Sequence, residues 1–142
     1  MSRISCFQSL CLSIGNYSCY LLCLFNIAEE YLKTEFSVDK IFSYIACFTK
    51  QGYIYFNTSN YKDENNFYVK DPCGILRELT GVDWSVEKVT KKPVEKYYIE
   101  QWSVNGKTGH FARVYKGFNS LQSSNCVNNG KIISYRVFKE VK

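Results

Sequence analysis

The sequence predicts an α+β fold in which N-terminal helices pack on a C-terminal antiparallel sheet. Apolar residues recur at helical spacing as far as about residue 80, and the period then changes to two. Turn signals at Asn105-Gly106 and Asn128-Asn129-Gly130 cut the period-two region into strands that can run back on one another. A doubly wound α/β chain would alternate helices and strands instead.

The first helix is marked by Leu21, Leu24, Phe25, Ala28, Tyr31 and Leu32 on one face, with Asn26, Glu29, Glu30 and Lys33 opposite. Asn16 or Ser18 can cap it, so Cys19 falls in the first turn. The adjacent Glu29 and Glu30 point in different directions on a helix and read as a solvated face, not an acid/base pair. A second helix follows from Ser37, with Val38, Ile41, Phe42, Ile45 and Phe48 as its apolar stripe and Gly52 as its stop. Short β-prone pieces at Tyr53 to Phe56 and Phe67 to Val69 flank a polar loop, Asp63 to Asn66. Asp71-Pro72 is a cap followed by proline at the first helical position, and Gly81 ends the short helix that results. Strands are then expected at Trp84 to Val89, Tyr97 to Val104, Phe111 to Tyr115 and Lys131 to Phe138.

Composition narrows the function classes. A chain of 142 residues, 46% hydrophobic and 22% charged, fits one domain spanning 1–142. At this length roughly 70% of the extended-chain surface is buried on folding, so no metal or disulfide staple is needed. The seven cysteines stand against a single histidine, which excludes a Cys2His2 finger; none forms a C-x-x-C pair, which removes ribbon and thioredoxin motifs. The expectation is no metal, no cofactor and a reducing cytoplasm. The net charge of +5 lies entirely beyond residue 70, with a cluster at Lys88, Lys91, Lys92 and Lys96. No base-stacking motif accompanies it, so a solvated face is expected and no specific nucleic-acid partner. The run Ile4 to Leu12 resembles a signal segment but is broken by Gln8 and serines and reads as part of the domain; no stretch is long enough to span a membrane.

Candidate chemistry centres on Cys19 and His110. A thiol in the first turn of a helix faces unpaired N–H groups and the positive end of the dipole, which favour the thiolate. Cysteine is also a common core residue, and Cys23, one turn further on, reads as packing. His110 stands in Gly109-His110-Phe111, between a hairpin loop and the strand it feeds; by itself a lone histidine there is ordinarily a surface residue. Nine positions later comes Asn119, close enough to lie beside the imidazole if the chain turns back. The order Cys, His, Asn is that of papain-like enzymes.

Gly109-His110-Phe111, Phe118-Asn119-Ser120-Leu121, Ser124 to Lys131 and Ser134-Tyr135-Arg136, with Cys19-Tyr20 opening an apolar helix, resemble small phage- and plasmid-borne papain-like cysteine peptidases. These are similar to the double-glycine bacteriocin-processing peptidases. The likeness runs over about residues 15 to 138 and is loose in the middle. It implies a papain-like fold with Cys19 as nucleophile, His110 as base and Asn119 orienting the ring. The family's usual proline after the third residue is replaced by Ser120. The glutamine often found six residues before the nucleophile is replaced by Ser13, which leaves Asn16 and Gln8 as amide side chains for the oxyanion. Such a donor is worth roughly 3 kcal/mol, or about a hundredfold in rate.

The expected activity is hydrolysis of an amide, peptide or isopeptide bond in a peptide or protein substrate. The rival is a catalytically silent papain-like fold that binds a protein.

Overall fold

The computed structural model describes residues 19–56, 67–104, 107–115 and 130–142, with backbone alone at Cys19, 55–56, 67–68, 104 and 107–110. In chain order the elements are α1 (Cys19–Leu32), α2 (Val38–Gln51), β1 (Ile54–Phe56), β2 (Phe67–Val69), α3 (Pro72–Thr80), β3 (Trp84–Val89), β4 (Tyr98–Val104), β5 (Lys107–Ala112) and β6 (Gly130–Glu140). The fold is α+β: the helices precede a four-stranded antiparallel sheet of order β3-β6-β4-β5, and β1 pairs with β2 in a small second ladder.

Two helices begin and end where their cap residues dictate. Ser37 accepts from the Lys40 N–H at 3.2 Å to start α2, and Gly52 closes it at φ 81°. Asp71 accepts from the Gly74 N–H at 2.9 Å, Pro72 opens α3, and Gly81 ends it at φ 82°. Helix α1 stops differently, at Lys33, a non-glycine residue at φ 56°. The expected caps Asn16 and Ser18, the loop Asp63 to Asn66, and the turn residues Asn105, Gly106, Asn128 and Asn129 lie outside the described residues.

The core lies between α1 and one face of the sheet, closed by α2 and α3. Leu21, Leu24, Phe25, Ile27 and Ala28 of α1 meet Ile45 and Phe48 of α2, Ile75, Leu76 and Leu79 of α3, and Ile99 and Phe138 of the sheet. Each large side chain fully buried here stabilises the fold by roughly 1.5–3 kcal/mol. Phe25 packs edge-on against Phe36 and Tyr44, and Tyr44 stacks on Phe48.

Three expectations need correction. The stripe of α2 is buried only at Ile45 and Phe48, while Val38 is 68% exposed, because the aromatic contacts to α1 fall toward the C-terminal part of α2. The partner strand of the hairpin is Lys107–Ala112, not Phe111 to Tyr115: Val104 pairs with Lys107, so pairing begins at once after a two-residue connection. It ends at Ala112 because the next residue, Arg113, turns into a buried contact with α1.

The third correction concerns the polar face of α1. Asn26 is buried, and the Glu30 side chain is 11% exposed against Arg113. Arg113 donates from Nη1 to Asn26 Oδ1 at 2.8 Å, from Nη2 to Glu30 Oε1 at 2.7 Å and from Nε to the Tyr98 carbonyl at 2.9 Å. Glu29 accepts from the Phe36 N–H at 2.9 Å and so fixes the α1–α2 connection. A helix laid along the edge strand of a sheet meets it over more than its apolar stripe, and here the second contact is polar.

Candidate active site at the start of α1

Helix α1 begins at Cys19, as the sequence predicts. The backbone N–H groups of a first helical turn lack partners within the helix, and together with the dipole they favour an anion at that position. The next residue, Tyr20, sets its ring edge-on to Phe111 with centroids 4.7 Å apart and planes at 89°. Phe111 in turn follows His110. The residues that adjoin Cys19 and His110 in sequence are therefore in contact, and the start of α1 meets β5.

His110 is the fourth residue of β5, not a loop residue ahead of it. It pairs with Trp102, whereas the next pair is Ser103 with Thr108, so Gly109 is an extra residue in the ladder immediately before His110. Such a bulge bends its strand and re-aims the neighbouring positions. The pairing rows are also informative. Phe111 shares a row with Gln101 and Ser134, on the side that faces α1; His110 shares one with Trp102 and Ile132. In a regular strand alternate rows belong to opposite faces. The ring that touches the helix is Phe111's, and position 110 belongs to the adjacent row.

A polar chain lines the helix side of this end. Ser134 Oγ donates to Gln101 Oε1 at 2.6 Å and accepts from Arg136 Nη1 at 2.9 Å, and the Arg136 guanidinium lies 5.7 Å from the centre of the Phe111 ring. Burial pushes the Tyr20 hydroxyl far above its ordinary range, against the opposing pull of Arg136. Burial, with a smaller push from the Asp71 charge, also raises the Cys73 thiol. Among the described side chains, this end of the molecule therefore carries the Arg136 cation beside neutral Tyr20 and Cys73.

The other side of the β4–β5 pair holds a carboxylate. Glu100 is 8% exposed and accepts from Trp102 Nε1 at 3.3 Å. Burial raises its carboxyl above the usual range; the Trp102 hydrogen bond and the charges of Lys92 and Arg113 pull the other way. Glu100 is not conspicuous in the sequence, whereas Ser134 and Arg136 belong to the Ser134-Tyr135-Arg136 motif quoted above, there without a role. The signal that could have found them is period-two spacing: Ser134 and Arg136 share one strand face, as do Glu100 and Trp102. For Asn26 and Glu30 it is an i,i+4 polar pair inside an otherwise apolar helix.

Asn119, Asn16, Gln8 and Ser13 lie outside the described residues. Cys23 is fully buried in the core, Cys47 is exposed, and neither these two nor Cys73 is in a disulfide. Lys88, Lys91 and Lys92 line a shallow concavity together with Glu87 and Glu95, and Glu95 pairs with Lys139, outside that cluster, at 3.4 Å. Among the described residues no three His, Cys, Asp or Glu side chains gather as a metal site, and no helix is long and apolar enough to cross a membrane. No family model matches the chain, and no curated protein or solved structure matches it.

Proposed function

We propose that this chain is a papain-like cysteine hydrolase acting on an amide, peptide or isopeptide bond of a peptide or protein, without metal or cofactor, in a reducing cytoplasm. One observation supports the reading above the rest. The Tyr20–Phe111 contact joins the helix start that bears Cys19 to the strand that bears His110, with a bulge just before the histidine.

In this mechanism His110 takes the Cys19 proton and the thiolate attacks the carbonyl carbon. The Cys19 N–H, with Asn16 or Gln8, holds the oxyanion. The imidazolium passes its proton to the leaving amine as the carbon–nitrogen bond breaks, which leaves a thioester. His110 then deprotonates water, whose attack releases the acid and restores the thiol. Asn119 accepts from the ring N–H and holds the tautomer.

A second reading, a silent papain-like fold that binds a protein, is favoured by the pairing rows, since position 110 lies one row away from the ring that touches α1. One experiment separates the two. The native protein is treated with iodoacetamide at neutral pH and the modified cysteines are mapped by peptide mass spectrometry. The hydrolase reading expects Cys19 to react faster than the exposed Cys47, and His110→Ala to remove that advantage. Equal rates for Cys19 and Cys47, unchanged by His110→Ala, overturn it and leave the binding module.

A further inference from the structure

Among the described arginines, Arg136 is the one whose guanidinium has no carboxylate beside it. Arg113 is paired with Glu30 and Arg77 lies 3.9 Å from Asp83, whereas Arg136 donates from Nη1 to the Ser134 hydroxyl at 2.9 Å. That hydroxyl is itself fixed by Gln101, and the guanidinium lies over the Phe111 ring, which touches Tyr20 at the start of α1. A guanidinium presents five N–H donors in a rigid fork, so one that is held by a single hydroxyl and one ring face keeps an edge for a second planar group.

Cross-strand register adds a second cation. Lys88 on β3 is the direct partner of Arg136, and paired residues leave a sheet on the same face, here the face that carries Ile99 and Phe138 toward α1. Like charges directly opposite one another destabilise a ladder. The surrounding positions do not offset them: Ile99 pairs with Arg136 on β4, Val86 and Gln101 flank it diagonally, and Glu87 belongs to the next row and so to the opposite face. The acids of the elements packed on this face are engaged elsewhere. Glu30 holds Arg113, Glu29 accepts from the Phe36 N–H, Asp71 from the Gly74 N–H and Glu140 from the Tyr31 hydroxyl. Of the chain's acidic residues only Asp63 and Glu64 lie outside the described residues, and the segments that lead into α1 and β6, 1–18 and 116–129, contain none. A half-buried guanidinium and an exposed ammonium therefore stand opposed at the end of the molecule where α1 begins, rimmed by Tyr20 and Phe111.

We propose that Arg136, with Lys88 across the ladder, binds a carboxylate of the substrate next to the bond that Cys19 attacks. The proposal deepens the hydrolase reading and rests on it: the substrate class becomes a peptide or protein with an acidic side chain or a chain terminus beside the scissile bond. Arg136 and Lys88 bind and orient this group and exchange no proton with it. Ser134 and Gln101 position the guanidinium.

Two alkylating reagents that differ in charge read the pair at Cys19. The full native chain is treated at neutral pH with iodoacetamide or with iodoacetate, which carries a carboxylate, and the rates at Cys19 and Cys47 are followed by peptide mass spectrometry. In Arg136→Gln the ratio of iodoacetate to iodoacetamide rates at Cys19 should fall about tenfold, the scale of one lost charge-assisted hydrogen bond, while the ratio at Cys47 stays constant. Lys88→Gln, at an exposed position, should lower the ratio in the same direction, and Arg136→Lys should restore part of it. A ratio unchanged in both glutamine variants overturns the proposal, as does an equal fall in the two rates, which a merely structural role for Arg136 would give. The source of the carboxylate is read by protection of Cys19 from iodoacetamide. N-acetylglutamate α-amide presents a side-chain carboxylate, N-acetylalanine a terminal one, and N-acetylalanine amide neither. Whichever acid protects more than the neutral amide supports the site and identifies its source; no difference among the three overturns carboxylate binding. The two readings fail separately: a Cys19 no faster than Cys47 toward iodoacetamide removes the hydrolase, whereas a fast Cys19 indifferent to the charge of the reagent removes the Arg136 pair alone.

Discussion

The two ends of α1 are attached to the sheet by opposite means. Toward the C-terminal end, Asn26 and Glu30 receive two hydrogen bonds from Arg113, and a third ties the same guanidinium to the Tyr98 carbonyl. At the N-terminal end the described contact is an aromatic edge, Tyr20 on Phe111, with Arg136 beyond the ring. A directional lock fixes the position of β5, and the apolar contact sets only how closely the helix start approaches it. The difference separates two uses of polar side chains: those of the lock satisfy each other, while Arg136 lies over the Phe111 ring that the start of α1 touches. Arg113 stands only three positions after His110, so the lock is also what holds the candidate base in register with α1.

The comparison breaks most severely at the lock. Arg113→Ala strands the Glu30 carboxylate, whose side chain is only 11% exposed, without its partner. Loss of one member of a buried pair costs about 3–5 kcal/mol, and urea unfolding followed by circular dichroism should show it. Replacing Arg113 and Glu30 together by methionine removes both charges and should cost clearly less than the alanine variant. Equal losses would mean that the lock contributes volume, not charge. At the other end, Phe111→Ala should cost about 2 kcal/mol, below the range for a fully buried ring because Phe111 is only half-buried. Its diagnostic effect is local: Cys19 should lose any advantage over Cys47 toward iodoacetamide, while Arg113→Met/Glu30→Met retains it.

This division explains which features are legible in the residues. Caps are local chemistry, so Ser37, Gly52, Asp71 and Gly81 mark the limits of α2 and α3 correctly. Period-two runs likewise mark β3, β4 and β6, although they place the return strand too late, since its start depends on pairing and not on its own composition. Cys19 at the first position of α1 is legible for the same reason as the caps. Glu30 reads as solvated, wrongly, because its partner, Arg113, is 83 positions away, and no local pattern encodes that encounter. Glu100 and the bulge at Gly109 belong to the same class: both acquire meaning only from the cross-strand register.

A pH series tests the buried Glu100 with a gentler effect than either variant above. Burial raises the folded-state pKa of this carboxyl above its unfolded value of about 4.3. Between the two values the folded protein binds more protons than the unfolded chain, so stability is greatest below the unfolded pKa and falls as pH rises through the folded one. Glu100→Gln should flatten that fall. Urea midpoints measured from pH 4 to pH 7 in steps read it directly; an unaltered slope in the variant would assign the pH dependence to other groups.

The smallest expected effect concerns the stop of α1, and its sign is opposite to the rest. Helices α2 and α3 end on glycines at φ 81° and 82°, whereas α1 ends on Lys33 at φ 56°. A Cβ in the left-handed region costs roughly 1–2 kcal/mol. Glycine removes that cost but gives back roughly 0.5–1 kcal/mol through the greater freedom of the unfolded chain. Lys33→Gly should therefore stabilise the protein by about 0.5 kcal/mol, seen as a higher urea midpoint at unchanged slope. The same arithmetic in reverse makes Gly52→Ala and Gly81→Ala destabilising, although neither added methyl group meets an atom within 4 Å, so the penalty there is conformational. A loss of stability in Lys33→Gly would show that the lysine side chain itself holds the end of α1, and that the helix is fastened by polar groups beyond the Arg113 lock.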